Sequence, residues 1–575
     1  MLDSSIASYV RLLAFAELSQ LFRGNLAQWR YPDLLTGALL LTLIVSPSSP
    51  RRGLAMVVVR ALQTLVRLPY VWDAEILGLL SALAVLPPLL PSSDAAATAG
   101  RCGSEVRIAL CVLYTSAGFW KLNSSFLDRR YSCGSIYAVQ LLEAYAPLVG
   151  VEPTASLAHA VTSAYSPASP LMTAVGEIAI GVGFALPGRR ARQAAVALGL
   201  TLHLGICLTP PPNNIGAFSV AAAGRFFWAL PEEASIAIQA AARSPALLAA
   251  HGLAGVLLYL LANVATSGAQ ADDAPLLFYG AIASVLTHAL FVDGPHDVAA
   301  ANQHDPSTGK SKPPTKPRGN GPRPRRVMIG AALLWAVSVP LGLMDIAAPN
   351  MFSNLKQHAG SNHILGAPTG LLQSILSSSP HRASGGGVVR VESASDGSFL
   401  ASVYPAEVTG RITPRARELL KSIGHSGRQW HSALARVVGP FALPPQPTKP
   451  ASYTLPVVEL RRVLAHAAQR DAHFVTHVSW LTGAEGDESW RRGAKDALSL
   501  RLEYSGGAFW CTQPTLWGAA TKTCPEEAAA ALLPHSPESE FGALALWDRA
   551  LSWPQAWKSM PLIPGDDAEG VHCGS

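Results

Sequence analysis

Charged residues are scarce in this chain. Of its 575 residues, 14% are Asp, Glu, Lys or Arg, and 49% are hydrophobic. Over roughly the first 350 residues, apolar runs of membrane-spanning length recur between short loops, which excludes a series of soluble domains and predicts a multi-pass membrane protein in a lipid bilayer. The net charge of +6 does not indicate nucleic-acid binding. The basic residues gather in loops beside apolar segments, where they set orientation in a membrane.

Cysteine is scarce as well. Seven cysteines in a chain of this length exclude a disulfide scaffold. Cys111 and Cys207 lie inside apolar segments and are expected to pack as small hydrophobic side chains. Cys511 and Cys524 flank a loop in a part of the chain that we place outside the cytosol, and they are a candidate local disulfide.

Several catalytic and ligand-binding motifs are absent. The sequence contains no GxxxxGK(S/T), GxSxG or HExxH pattern and no paired CxxC, which excludes the phosphate loop, nucleophile elbow and helical zinc site built from them. His358 and His363 have no Cys or acidic residue nearby, and their spacing does not place two ligands on one helical face. The segment 351–366 is instead predicted to fold back over the mouth of the helical bundle.

The apolar pattern predicts about 10–11 helices that cross the membrane. The first is moderately amphipathic and could span the bilayer or lie in its interface, and the segment 135–149 is predicted to lie on the surface or to re-enter. The predicted spans are residues 6–22, 34–45, 53–68, 75–90, 106–120, 170–186, 193–208, 215–230, 246–265, 274–292 and 327–344.

Basic loops predict the orientation of these helices. Arg51 and Arg52, the PGRRAR turn and the cluster from Lys310 to Arg326 are expected on the cytoplasmic side. With eleven spans, the N-terminus is then cytoplasmic, and residues 121–170 and the C-terminal region lie on the opposite, lumenal or extracellular face. The Pro-, Gly- and Lys/Arg-rich segment 293–326 is predicted to be a disordered linker.

The predicted fold class is mostly α, a multi-pass transmembrane helical bundle followed by an extramembrane α+β domain. The domains are predicted as bundle 1–292, linker 293–326, last transmembrane helix 327–345 and extracytoplasmic domain 346–575. Within the last domain, alternation predicts strands at 388–391 and 399–404, paired across a DGS turn, and further strands at 474–480 and 498–504. Helical spacing predicts helices at 415–423, 459–469 and 541–553.

Lys121 is the first candidate for chemistry, because it ends an apolar segment and is followed by polar residues. It could be a snorkelling lysine that marks the end of a span. Alternatively, it could be a general base, since an amine withdrawn from water accepts a proton more readily near neutral pH. In the second interpretation, Asn123 and Asp128 could orient the amine.

Glu177 and His203 are two further candidates. Glu177 lies in the middle of a predicted span, where a carboxylate is either functional or paired structurally, with Arg225 or Arg60 as candidate partners. His203 precedes a loop of prolines and asparagines. A lone histidine in a helix is more often a packing residue than a catalyst.

Three stretches in this order, AGFWKLN with FLDRRYSC, LHLGICLTPPPNNIGAFSV and MFSNLKQHAGSNHILG, resemble the HTTM membrane family, which contains the vitamin K-dependent γ-glutamyl carboxylase. In the carboxylase, a lysine deprotonates reduced vitamin K. Lys121 falls on that position, and Asn123 stands where the carboxylase has an acid. His203, Gly216 and Phe218 are similar to a second motif of the family, so the resemblance implies Lys121 and His203 as catalytic residues.

The resemblance also implies an extracytoplasmic C-terminal domain and a lipid-soluble cosubstrate, reduced vitamin K or another quinol, that enters from the bilayer. It does not imply carboxylation of glutamate, because no counterpart of the carboxylase's peptide-binding region is recognised, and the protein substrate stays unknown. Two non-enzymatic alternatives remain open. One is a transporter whose polar helices line a passage, although no inverted repeat is evident. The other is a scaffold or assembly protein whose C-terminal domain binds a partner.

Overall fold

The computed structural model describes most of the N-terminal part of the chain and selected segments of the C-terminal part. The described residues are 4–21, 31–67, 73–90, 95–127, 132–154, 156–157, 160, 168–210, 216–230, 238, 244–266, 274–291, 325–341, 349, 363–368, 388–394, 453–456, 460–461, 464, 473–480, 498–514 and 521–533.

The N-terminal part is helical. Short 3₁₀ segments lie at Pro87–Leu89, Ala146–Val149 and Phe226–Ala229. The α-helices are α1 (Ser4–Leu21), α2 (Tyr31–Val45), α3 (Pro50–Arg67), α4 (Asp73–Val85), α5 (Ala95–Trp120), α6 (Ser124–Leu127), α7 (Cys133–Tyr145), α8 (Ser169–Ala185), α9 (Arg189–Leu208), α10 (Gly216–Arg225), α11 (Pro245–Ala265), α12 (Ala274–Phe291), α13 (Arg326–Ala336) and α14 (Ser338–Leu341).

The helices divide into inner and outer ones. Every residue of α10 is buried, and α1, which packs against α2, α10 and α12, is buried along nearly its whole length. Helices α2, α8, α11 and α13 instead expose large apolar side chains, such as Leu35, Val264 and Leu333. Contiguous apolar surface of this kind marks a face that meets lipid or another protein.

Each of the eleven predicted spans overlaps a helix of the structure. Among the described residues, three helices are long and apolar enough to cross a bilayer, namely Arg189–Leu208, Pro245–Ala265 and Ala274–Phe291. Shorter apolar helices occupy Leu34–Val45, Pro170–Ala185 and Arg326–Ala336. These helices fit a membrane protein, whereas the full count of crossings stays a prediction.

Several predicted spans differ in length from the helices found; α5, for example, begins at Ala95, well before the predicted span 106–120. The segment 215–230 contains only the ten-residue α10 and then the 3₁₀ turn Phe226–Ala229, about 15 Å of α-helix at 1.5 Å per residue, which is too short to cross a bilayer. The last predicted span is interrupted at Val337, between α13 and α14. Pro340 follows closely and lacks the N–H that an uninterrupted helix would need.

The predicted disordered linker, 293–326, lies outside the described residues except at its end. At that end, Arg325 is the N-cap residue of α13 and Arg326 is its first residue, so the helix begins within the last two positions of the predicted linker. Arg325 donates from its backbone N and its Nε to Glu105 Oε1 of α5, and from Nη2 to Glu105 Oε2, at 2.8 to 2.9 Å. This bidentate contact between guanidinium and carboxylate fixes the start of α13 against α5, and composition alone does not predict such a contact.

The C-terminal part contains an antiparallel sheet in the order β2-β1-β3-β4-β5-β6. Strands β4 and β5 form a hairpin through Gly506 and Gly507, which have φ of 59° and 80°. Positive φ at both positions is what a tight hairpin turn needs and what glycine allows. The strands are β1 (Val388–Ala394), β2 (Tyr453–Pro456), β3 (Phe474–Trp480), β4 (Leu498–Ser505), β5 (Ala508–Pro514) and β6 (Thr521–Thr523), followed by helix α15 (Glu526–Leu532).

The sheet and α15 share a hydrophobic core that includes Val478, Leu502 and Leu532. The buried Arg461 donates to the carbonyls of Ala530 and Ala531, at the C-terminal end of α15, where a cation satisfies free carbonyl groups.

The strand predictions at 388–391, 474–480 and 498–504 agree with β1, β3 and β4. The predicted strand 399–404 and helices 415–423 and 541–553 lie outside the described residues, and of 459–469 only Leu460, Arg461 and Leu464 are described, as helical. Strands β2, β5 and β6 and helix α15 were not predicted.

Candidate functional site

Lys121 and Glu177 meet at the end of α5. The Lys121 Nζ atom lies 2.8 Å from Glu177 Oε2, and the side chains are only 4% and 9% exposed. The amine also lies over the ring of Phe126, with Nζ 5.9 Å from the ring centroid. The alternative partners considered for Glu177 are wrong, because Arg60 and Arg225 pair with Glu17 instead.

Two glycines bring α5 and α8 close enough for this contact. A Cβ atom on Gly118 of α5 would lie 2.5 Å from the Ala174 carbonyl oxygen, and one on Gly181 of α8 would lie 2.7 Å from the Thr115 backbone nitrogen. Neither position has room for a side chain, so the two backbones touch directly. Close approach of this kind positions Lys121 and Glu177 opposite each other.

Asn123 organises the turn that follows Lys121. Its Nδ2 donates to the Trp120 carbonyl at 2.7 Å, and its Oδ1 accepts from the Phe126 backbone N at 2.8 Å. The side chain therefore caps the short helix α6 while satisfying a carbonyl at the end of α5. Asn123 orients the backbone beside Lys121, and the predicted second orienting residue, Asp128, lies outside the described residues.

A segment from the start of the C-terminal part packs against the same end of α5. His363 pairs with Asn123 in an isolated β-bridge, and the Ile364 backbone N donates to the Leu122 carbonyl at 2.9 Å. The His363 Nε2 donates to the Phe119 carbonyl at 2.9 Å, and its ring packs on the Phe119 ring with centroids 4.5 Å apart. The described residues of the predicted loop therefore fold back onto the bundle, next to Lys121.

His203 lies in a separate polar group. Its Nε2 is hydrogen-bonded to the Tyr114 hydroxyl and its Nδ1 lies 3.0 Å from Ser219 Oγ, within a setting of aromatic rings that includes Phe218. Tyr114 precedes Lys121 by two helical turns, about 10 Å along α5. The structure thus brings Lys121, Glu177 and Asn123 together and places His203 two turns away, with both ring nitrogens engaged.

The partner of Arg60 and Arg225 was not predicted from the sequence: it is Glu17, and the three residues form an ionic cluster. Glu17 of α1 forms an ion pair with Arg60 at 2.7 Å, and its Oε1 accepts a hydrogen bond from Arg225 Nη2 at 2.9 Å. Arg225 is fully buried and also donates to Ser81 Oγ. The sequence did contain a signal for this cluster, because Glu17, Arg60 and Arg225 all lie within apolar segments, and buried charges need partners of opposite charge.

Cys511 and Cys524 form a disulfide, with Cα atoms 5.4 Å apart. The bond joins β5 to the end of β6, and the Cys524 backbone N donates to the Cys511 carbonyl. Cys111 and Cys207 are free thiols, half-buried and buried respectively.

Among the residues that the structure describes, no group of three or more His, Cys, Asp or Glu could hold a metal ion.

Comparisons with known proteins reach only part of the chain. No curated protein matches the sequence, and no solved structure matches it either. One family model matches part of the chain, residues 361–540, which include the segment that packs beside Lys121, the sheet and α15. This model is described as a domain of unknown function, DUF8388.

Proposed function

We propose that this chain is an integral membrane protein of the HTTM type whose Lys121–Glu177 pair performs acid–base chemistry on a lipid-soluble cosubstrate. The observation that carries the proposal is the contact of 2.8 Å between the amine and the carboxylate, with both side chains withdrawn from solvent. Ionisable groups inside a helical bundle are costly to bury and are concentrated at functional sites.

Multi-pass insertion is supported by the distribution of charge and apolar surface. Apolar side chains cover the outer faces of α2, α8, α11 and α13, whereas Glu17, Arg225, Lys121 and Glu177 are buried. A bilayer would cover the first group, and ionic pairing compensates the second. A cytoplasmic N-terminus with an extracytoplasmic C-terminal domain agrees with the Cys511–Cys524 disulfide, because such bonds persist in oxidising compartments.

The proposed chemistry is a proton transfer within the ionic pair. Lys121 Nζ and Glu177 Oε2 lie 2.8 Å apart, so a proton that moves from the ammonium to the carboxylate leaves a neutral amine beside a carboxylic acid. Burial in a medium of low dielectric constant raises the free energy of charged groups. The free-energy difference between the neutral pair and the charged pair is therefore smaller here than in water. The neutral Nζ can then accept a proton from an acidic hydroxyl group held next to it.

A reduced vitamin K or another quinol would supply that hydroxyl when bound. Three aromatic side chains, Phe119, Trp120 and Phe126, lie at this end of α5 and make the surroundings of the amine apolar. Asn123 holds the backbone turn, and His203 fixes Tyr114, so both keep α5 and the amine in place.

The test measures consumption of reduced vitamin K by the full-length protein in detergent or proteoliposomes. We expect Lys121→Met and Lys121→Arg to lower the rate by about 100-fold or more, because neither side chain can act as a general base. Glu177→Gln should also lower the rate, since an amide cannot take the proton. A wild-type rate in Lys121→Met would contradict the proposal.

A purely structural ionic pair needs its own control. If the pair only stabilises the bundle, the double variant Lys121→Met/Glu177→Leu should recover the stability lost in either single variant, because well-packed apolar residues often replace a buried pair at little cost. In our proposal, the double variant folds but stays inactive. Recovery of activity together with stability would assign the pair a structural role alone.

A further inference from the structure

A second charged region lies around the N-terminal half of α5, and its charges do not balance. Arg107 of α5 interacts electrostatically with Arg192 of α9. Arg325, before the start of α13, pairs with Glu105 of α5, and both of these charges act on Cys102, as Arg107 does. Both oxygens of Glu105 accept hydrogen bonds from Arg325, and these bonds raise the pKa of the Arg325 guanidinium. These three guanidinium groups and one carboxylate carry a net charge of +2, and Arg101, in the same half of α5, adds a further positive charge.

Arg107 and Arg192 carry that excess. Arg107 donates to the Trp228 carbonyl at 2.9 Å and to Ser104 Oγ at 3.0 Å, both neutral acceptors. Within the part of the chain that the structure describes, no carboxylate pairs with Arg107 or Arg192. The two guanidinium groups are close enough to repel each other. Two half-buried like charges are unfavourable unless a negative group lies near both.

Buried hydrogen-bond donors in the same region also lack partners. The Nε of Arg192 and the indole Nε1 of Trp228 are both buried and have no hydrogen-bond acceptor among the described residues. An unsatisfied buried donor costs about 1–3 kcal/mol, and a bound water or anion is an acceptor that would remove this cost.

The backbone holds these groups together. The 3₁₀ turn Phe226–Ala229, which carries Trp228, contacts both α5 and α9. Gly103 of α5 lies directly under the indole, and a Cβ atom there would be 2.7 Å from Trp228 Cε3. Trp228 therefore sits against the helix that presents Arg107 and close to the helix that presents Arg192.

We propose that Arg107 and Arg192, together with the Trp228 indole, form a binding site for a phosphate group. A guanidinium fork matches the oxygens of phosphate, and two guanidiniums with an indole N–H supply several donors to one dianionic or monoanionic group. The phosphate could belong to an anionic lipid headgroup or be free in solution. Both sources share this chemistry, and the site does not involve Lys121.

The test uses the full-length protein purified in an uncharged detergent. Its melting temperature is measured with no addition, with inorganic phosphate, with phosphatidylglycerol and with phosphatidylcholine. We expect phosphatidylglycerol or phosphate to raise the melting temperature of the wild type. Arg192→Gln and Arg107→Gln should weaken the apparent affinity by about tenfold or more, because each removes charge-assisted hydrogen bonds. The matched control is Arg190→Gln, an exposed residue of the same helix turn, which should behave as the wild type.

The outcomes separate the two sources of phosphate. A response to phosphatidylglycerol but not to phosphate assigns a lipid headgroup, and a response to phosphate alone assigns a soluble ligand. The proposal is overturned if neither addition stabilises the wild type, or if Arg192→Gln responds as Arg190→Gln does. Should Arg107→Gln fail to fold, Arg192→Gln, in the first turn of α9, decides the question.

Discussion

Two groups of ionic residues inside the bundle occur in specific partnerships. Lys121 pairs with Glu177, and Glu17 pairs with both Arg60 and Arg225. In each case, charged side chains that interrupt an apolar segment are neutralised by a helix distant in sequence. This explains how α1 and α3, which contain charged residues, pack into the same bundle as strongly apolar helices such as α11.

At the scale of single residues, we predict the effect of removing the Glu17 charge. Glu17→Gln leaves the fully buried Arg225 without its carboxylate partner, which should destabilise the protein by about 3–5 kcal/mol. The free energy of unfolding is measured by titration with SDS in mixed micelles. Glu152→Gln, an exposed residue, serves as the control and should change stability by less than about 0.5 kcal/mol. Equal stability of the two variants would show that the Glu17 cluster does not hold the bundle together.

Among the helices, the α5–α8 contact matters most for the candidate site. Gly118 and Gly181 allow the two backbones to touch, and Lys121 and Glu177 extend from this contact. A carboxylate and an amine at 2.8 Å need helix positions that are accurate to a fraction of an ångström. The glycines thus serve the site without taking part in its chemistry.

The matching prediction compares two glycines of α8. Gly181→Ala places a methyl group 2.7 Å from the Thr115 backbone nitrogen, so the helices must separate, at a cost of about 1–3 kcal/mol. Gly176→Ala has nothing within 4 Å of the new methyl group and should be neutral or slightly stabilising. Thermal unfolding and the rate of quinol consumption are measured for both variants, and we expect both to fall only in Gly181→Ala. Equal behaviour would mean that close packing of α5 and α8 does not support the site.

At the scale of the whole molecule, the chain combines a helical part with outer apolar faces and a sheet whose end is closed by a disulfide. The segment at His363 connects the two parts in sequence and bonds to the end of α5 beside Lys121. The family match to residues 361–540 includes that segment. The matched region therefore includes residues that contact the end of α5 beside Lys121.

The prediction for the whole molecule concerns the disulfide. Cys511→Ser/Cys524→Ser should lower the stability of the C-terminal domain by about 3 kcal/mol, the value expected for a loop of this length. Susceptibility to trypsin in the folded protein measures the loss. Cys111→Ser, which removes a free thiol, is the control and should leave the digestion pattern unchanged. Two reactive thiols at Cys511 and Cys524 in protein prepared without reductant would refute the bond.

Local composition was sufficient to locate the helices of the N-terminal part and three strands of the sheet. Apolar content and period-two alternation are properties of neighbouring residues, so segments such as 246–265 and 474–480 were identified correctly. Helix lengths were less predictable. The break at Val337 and the short α10 depend on packing and on Pro340, and a hydropathy pattern does not contain that information.

Partnerships between distant residues required the folded chain. The sequence marked Lys121, Glu177 and His203 as costly polar residues in apolar segments, because charge and hydropathy are read one position at a time. Tertiary packing determines that Lys121 pairs with Glu177, that Arg225 pairs with Glu17 and that His203 is hydrogen-bonded to Tyr114. The reason is geometric: which buried charges meet depends on the close approach of whole helices, and that approach is set by contacts between residues far apart in the chain.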